Sequence, residues 1–138
     1  MMTNAQFEAW LQRYGRAWIE GDPEAIVAIF APDAEYHEEP FEPPMVGHEA
    51  IRHYWAAGAR DGQRNVTFQA APIALDGDRG YAHWTASFTR VASGAFVELT
   101  GVLAARFDDA GRCREFREWW HRRETPAAAS RLPSGREE

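Results

Sequence analysis

From Val97 to Phe107 every second residue is small or apolar: Val97, Leu99, Gly101, Leu103, Ala105 and Phe107. Strand side chains alternate between faces. A strand here turns one uninterrupted apolar face inward, and that face needs a second layer against it. The flanking segments repeat the theme. Val66, Phe68 and Ala70 alternate until Pro72 breaks the ladder and the phase shifts to Ile73 and Leu75, which marks a bulge or an edge. Asp76-Gly77-Asp78 turns the chain into a strand from Tyr81 to Val91, and Ser93-Gly94 turns it again. Asp108 to Gly111 then leads to a last strand over 112–122. Four long strands with short turns predict an antiparallel meander.

The first half has helical spacing instead. Phe7, Trp10, Leu11, Tyr14 and Trp18 predict a helix over 5–20, stopped by Gly21. Asp22 is placed to cap a second helix, with Pro23 at its first position. Ala25, Ile26, Ile29 and Phe30 give that helix an apolar face, and Pro32 ends it. A short strand over 34–40 and a stiff loop at Glu42-Pro43-Pro44 follow. Gly47 then precedes a third helix, His48 to Ala57, with Ile51, Tyr54 and Trp55 on one side. The expected class is α+β: three N-terminal helices packed against a curved, mostly antiparallel sheet, forming a conical pocket. Residues 1–124 read as one domain. Residues 125–138 lack periodicity and read as a disordered tail.

Composition removes several function classes. A net charge of −6 argues against nucleic acid as a partner. No stretch approaches a membrane span, and the N-terminus lacks a signal-peptide pattern. A single cysteine, Cys113, excludes an internal disulfide. These features point to a cytoplasmic protein. No cofactor motif is present: GDPEAI and DGDRG are a helix cap and a hairpin turn, not phosphate loops. The histidines at 37, 48, 53, 83 and 121 show no HxxxH or HxH spacing, so no metal site is expected.

What remains is an aromatic interior with carboxylates in it. In YHEEP, Glu38 and Glu39 are adjacent and face opposite ways if the strand is regular, so one of them faces the enclosed space. A carboxylate buried without a partner is unfavourable, which makes the pair the main lead toward acid–base chemistry. Glu38 shares parity with Tyr36. His37, between them, is a further acid–base and ligand-contact candidate. Trp18, Tyr54, Trp55, Trp84 and Trp120 are candidates to line the pocket. Trp119 has the opposite parity from Trp120 and belongs on the outer sheet face, where an exposed indole suggests a homodimer interface.

The segments QRYGRAWIEGDPEAIVAIFAPDAEYHEEP and GHEAIRHYW, and later ARFDDAGRCREF, resemble the nuclear transport factor 2-like superfamily in its SnoaL-like and ketosteroid-isomerase-like branch, over about residues 5 to 123. The resemblance implies a cone between helix and sheet that binds a small hydrophobic molecule. It implies that Tyr14 matches the isomerase tyrosine that donates to a developing enolate. The general base falls on Glu38, or on Glu39 if the match is keyed to the acidic-Pro pair. Leu103 stands where the isomerase has a second, protonated oxyanion donor. Phe116, Glu118 and Trp120 are expected to point into the cone, with Glu118 replacing a small apolar residue. The first expectation is a cofactor-free acid–base enzyme acting on a small hydrophobic carbonyl or polyketide-like compound by isomerisation, cyclisation or hydration. The competing expectations are a non-catalytic binding module and, third, a protein–protein module.

Overall fold

The computed structural model describes residues 2–127. Helix α1 spans Asn4–Glu20 and begins with a capping box: Thr3 accepts from the Gln6 amide, and Gln6 accepts from the Thr3 amide. Gly21, at φ 62°, closes it in the left-handed conformation. Asp22 caps α2, Pro23–Val27, through the amides of Glu24 and Ala25. Strand β1 then runs Phe30–His37, and a two-residue strand β2, Met45–Val46, pairs back onto it. Helix α3, His48–Trp55, continues as a π-helical turn at Ala56–Arg60. The meander follows: β3 Gln63–Asp76, β4 Arg79–Arg90, β5 Phe96–Phe107 and β6 Cys113–Thr125.

These strands form one curved, unclosed sheet of six, in the order β2-β1-β6-β5-β4-β3. All neighbours are antiparallel except β1 and β6, which run parallel. Several boundaries differ from the sequence reading, three of them near the site or the tail. Ile29 and Phe30 do not extend α2: Phe30 opens β1, its side chain fully buried and in register with Cys113. Accordingly β1 ends at His37, not at residue 40. Strand β6 runs on to Thr125, which pairs with Phe96, one residue into the expected tail. Residues 128–138 of that tail lie outside the described residues. Strand β3 is an edge, as Pro72 implies, and its register shifts between Pro72 and Ala74. A second shift lies between Arg64 and Thr67, with Asn65 at φ 54°.

The core lies between α1 and the concave face. Phe7, Trp10, Leu11, Tyr14 and Trp18 are buried on one stripe of α1, facing Trp84, Leu103, Ala105, Phe107 and Phe116. Two glycines set how closely the layers approach. A Cβ on Gly15 would lie 2.6 Å from the Phe68 ring, and one on Gly80 would lie 2.6 Å from Phe7. A third, Gly101, sits where β5 and β6 approach most tightly: its Cβ would be 2.0 Å from the Trp119 carbonyl oxygen. The Trp10 indole donates to the Ile29 carbonyl at 3.0 Å, fastening α1 to the entrance of β1.

Candidate functional site

The inward parity of β6 places Glu118 beside Leu103 on the concave side, with a relative exposure of 7%. Its partner is supplied by β1. The Tyr36 hydroxyl donates to Glu118 Oε2 at 3.1 Å, and the Tyr36 and Tyr14 hydroxyl oxygens are 3.0 Å apart. One residue beyond the end of β1, Glu38 accepts from the Tyr54 hydroxyl of α3. Two carboxyl groups and three phenols, drawn from α1, β1, α3 and β6, thus border one cavity of about 280 Å³. Trp18, Trp55, Trp84 and Trp120 form much of its wall. Gln63, held by the Trp18 indole at 2.7 Å, contributes an amide. Arg90 and Arg122 also border the cavity, and Glu124 accepts both Arg90 Nε and Nη2, at 3.0 and 3.2 Å.

Burial dominates the electrostatics. Removal from water, with a smaller contribution from the charge of Glu38, pushes the Glu118 carboxyl up to about 8 against the hydrogen bond from Tyr36. Burial also raises Tyr14, Tyr36 and Tyr54 well above the ordinary phenol value, and the nearby Glu118 adds to the effect. At neutral pH the three phenols are therefore hydrogen-bond donors and not phenolates. Glu118 holds its proton in the same range.

The cavity gathers Tyr14, Glu38, Glu118, Trp18, Tyr54, Trp55, Trp84 and Trp120, all singled out in the sequence. Four others are placed elsewhere. Glu39 is exposed, because the backbone turns once β1 has ended. His37 has the parity opposite to Tyr36 and meets Glu35 at 3.0 Å, away from the cavity. Leu103 and Phe116 point inward but lie beneath the cavity, fully covered. Phe116 packs on Tyr36 with ring centroids 4.7 Å apart. Tyr36, Gln63, Arg90 and Arg122 were missed as site residues. For Tyr36 the signal was its inward parity next to a polar segment.

Two other clusters carry less chemistry. His37, Glu35 and Glu115 come within ligating distance of one another, but Arg117 and Arg106 already bond Glu115, at 2.8 and 3.3 Å. In a wider, shallower depression among the helices the two arginines are already engaged: Arg52 pairs with Glu24 and Glu49, and Arg60 pairs with the adjacent Asp61.

The model of the SnoaL-like domain matches residues 11–116, from the middle of α1 to Phe116 on β6. The chain belongs to the SnoaL-like family. No curated protein matches it in sequence. Among solved structures, this SnoaL-like protein is similar to the ketosteroid isomerase of a Mycobacterium species, with a TM-score of 0.75 and 20% identity over 87% of this chain and 98% of that one. It is similar to SalBIII, an epoxide hydrolase/cyclase-like enzyme with a role in pyran ring formation in the polyether salinomycin (TM-score 0.74, 22% identity, 87% and 95% covered). It is also similar to a computationally designed binder of 17-OHP (TM-score 0.74, 21% identity, 85% and 95% covered). At these identities the likeness is one of fold. Among the described residues, no helix is long and apolar enough to cross a membrane.

Proposed function

We propose that this SnoaL-like protein is a cofactor-free enzyme that performs acid–base chemistry on a small hydrophobic carbonyl or polyketide-like compound, by isomerisation, cyclisation or hydration. The observation that carries the reading is the pair of carboxyls in one aromatic cavity, with Glu118 buried and bonded by Tyr36 and Glu38 held by Tyr54. Environments that separate two carboxyls in this way divide the acid and base roles between them. In the enolisation step that opens an isomerisation or an aldol-type cyclisation, Glu38 takes a proton from the carbon next to a carbonyl; in a hydration it takes the proton from the attacking water instead. Glu118, or Tyr14 at the other side of Tyr36, hydrogen-bonds the carbonyl oxygen as it gains charge. Returning the proton from Glu38 to another carbon completes an isomerisation. The four tryptophans and the cone between α1 and the sheet exclude water and hold the rings of the ligand. The cavity is about twice the ~150 Å³ that accepts a benzene molecule, so one- or two-ring compounds fit it.

The test is exchange of the α-protons of 2-tetralone into D2O, followed by NMR. Acceleration by the protein, lost by two to four orders of magnitude in Glu38→Gln, supports the reading. Exchange equal in both proteins refutes it. The second reading is a binding module that holds the same ligands without turnover. It is favoured by the designed 17-OHP binder, in which a similar fold serves as a ligand holder. It predicts tetralone binding with no exchange. We further propose a cytoplasmic homodimer that associates through the outer sheet face, where Trp119 is 47% exposed and stands opposite Val102.

A further inference from the structure

Three buried oxygens form a hydrogen-bonded line at the wall of the cavity: Tyr14 Oη, 3.0 Å to Tyr36 Oη, then 3.1 Å to Glu118 Oε2. Each hydroxyl has one proton to give. When Glu118 is a carboxylate, Tyr36 must donate to it. Tyr36 can then only accept from Tyr14, whose proton is used inside the protein. Tyr14 offers the cavity lone pairs and nothing else. When Glu118 Oε2 carries a proton the line can reverse. Glu118 donates to Tyr36, Tyr36 donates to Tyr14, and the Tyr14 proton is free for a ligand oxygen.

We propose that Tyr36 is a positioning residue that ties the donor direction of Tyr14 to the protonation of Glu118, so that the cavity takes carbonyl ligands, which can only accept, while Glu118 holds its proton. The inference rests on the reading that the cavity binds small carbonyl compounds, but it does not require turnover. Packing supports it. Tyr36 is fixed between Phe116, Tyr54 and Trp55, so its hydroxyl has no other place to turn. The Tyr14 ring is fixed between Trp10, Phe116 and the edges of Trp55 and Phe68. The titratable and charged groups around the line are Glu38 after β1, Tyr54 from α3, Cys113 from β6 near Tyr14, and Arg90 and Arg122 at the border of the cavity. Burial keeps the Cys113 thiol protonated throughout the range of interest, and Tyr54 likewise. Glu118 is the group that changes charge around pH 8.

The experiment is titration of the intrinsic tryptophan fluorescence with 2-acetonaphthone from pH 6 to 9.5, with 2-isopropenylnaphthalene as a partner of the same shape that lacks the carbonyl oxygen. In the native protein the ketone is expected to bind roughly three- to tenfold more weakly at pH 9.5 than at pH 6, the loss of one hydrogen bond. The hydrocarbon should show no such change. Tyr36→Phe frees the Tyr14 proton at every pH, so its ketone affinity should vary by less than about twofold. Glu118→Gln, which cannot titrate, should also be flat. A native-like pH dependence surviving in Tyr36→Phe overturns the relay, because Glu118 would then act on the ligand directly. A flat native profile also overturns it, while leaving tetralone exchange to stand. Binding with the expected profile but no exchange keeps the relay and removes the catalytic reading. Failure of the ketone to bind at any pH refutes both.

Discussion

Replacing Glu118 with glutamine removes a titration and leaves the shape of the side chain, so it isolates what a buried carboxyl does to stability. In the unfolded chain the group is an ordinary glutamate near 4.5, and in the folded protein burial moves it to about 8. Between these values the folded state binds more protons than the unfolded one, so stability falls as pH rises; below 4.5 and above 8 the contribution levels off. At about 1.4 kcal/mol for each tenfold step, the whole span corresponds to roughly 5 kcal/mol. From pH 6 to 8.5 the unfolded carboxyl is ionised throughout, while Glu118 lets go only toward the end. The native protein should therefore lose about 2.5 kcal/mol from this group alone over that interval. Glu118→Gln keeps an acceptor for Tyr36 and has no such slope. Urea unfolding of both proteins at pH 6 and 8.5, read at unchanged m, gives the difference directly. The variant should gain on the native protein by about 2.5 kcal/mol between the two conditions. Stability curves that stay parallel to within about 0.5 kcal/mol would refute the claim that Glu118 is buried dry.

Other perturbations separate the parts of the molecule. Glu38→Gln should abolish α-proton exchange while shifting the urea midpoint little, because Glu38 lies beyond β1 and is only half covered; a large loss of stability would mean that its role is structural. Gly101→Ala places a Cβ against the Trp119 carbonyl and should cost about 3 kcal/mol or leave the chain unfolded, read by circular dichroism and urea. A variant as stable as the native protein would show that β5 and β6 do not approach so closely. Trp119→Glu puts a charge in the middle of the outer face and should convert a dimer into a monomer in sedimentation velocity, with tetralone exchange per chain unchanged. A native protein that sediments as a monomer removes the dimer proposal.

Much of the fold was legible because its signals are local. Period-two runs with Asp-Gly and Ser-Gly turns define β3 to β6, and Pro72 marks the edge. Glu118 and Trp120 on β6 were reached through the family resemblance and not through a local pattern. Parity distinguishes in from out but carries no depth, which is why Leu103 and Phe116 look like wall residues and lie under the floor. It also fails where a strand stops. With β1 ending at His37, Glu39 follows a turning backbone and not a ladder. His37 has the parity opposite to that of Tyr36, so it turns to Glu35 and away from the cavity. The parallel pairing of β1 with β6 joins segments about eighty residues apart, and no local pattern encodes it. That pairing alone brings Tyr36 to Glu118, so a tyrosine that reads as an apolar marker in the sequence becomes the link between two polar groups.

The two ends of the sheet have a consequence for how copies of this protein can meet. A row of free backbone amides at a sheet edge invites a strand from another molecule. At one end the edge strand is just two residues long, Met45 and Val46. At the other, Pro72 lacks an amide, and two shifts of register bend β3 away from a flat ribbon. Neither end offers a foreign strand more than a few consecutive partners. The unclosed sheet, and the aromatic interior that goes with it, thus ends in edges poorly shaped to template a strand of a second copy.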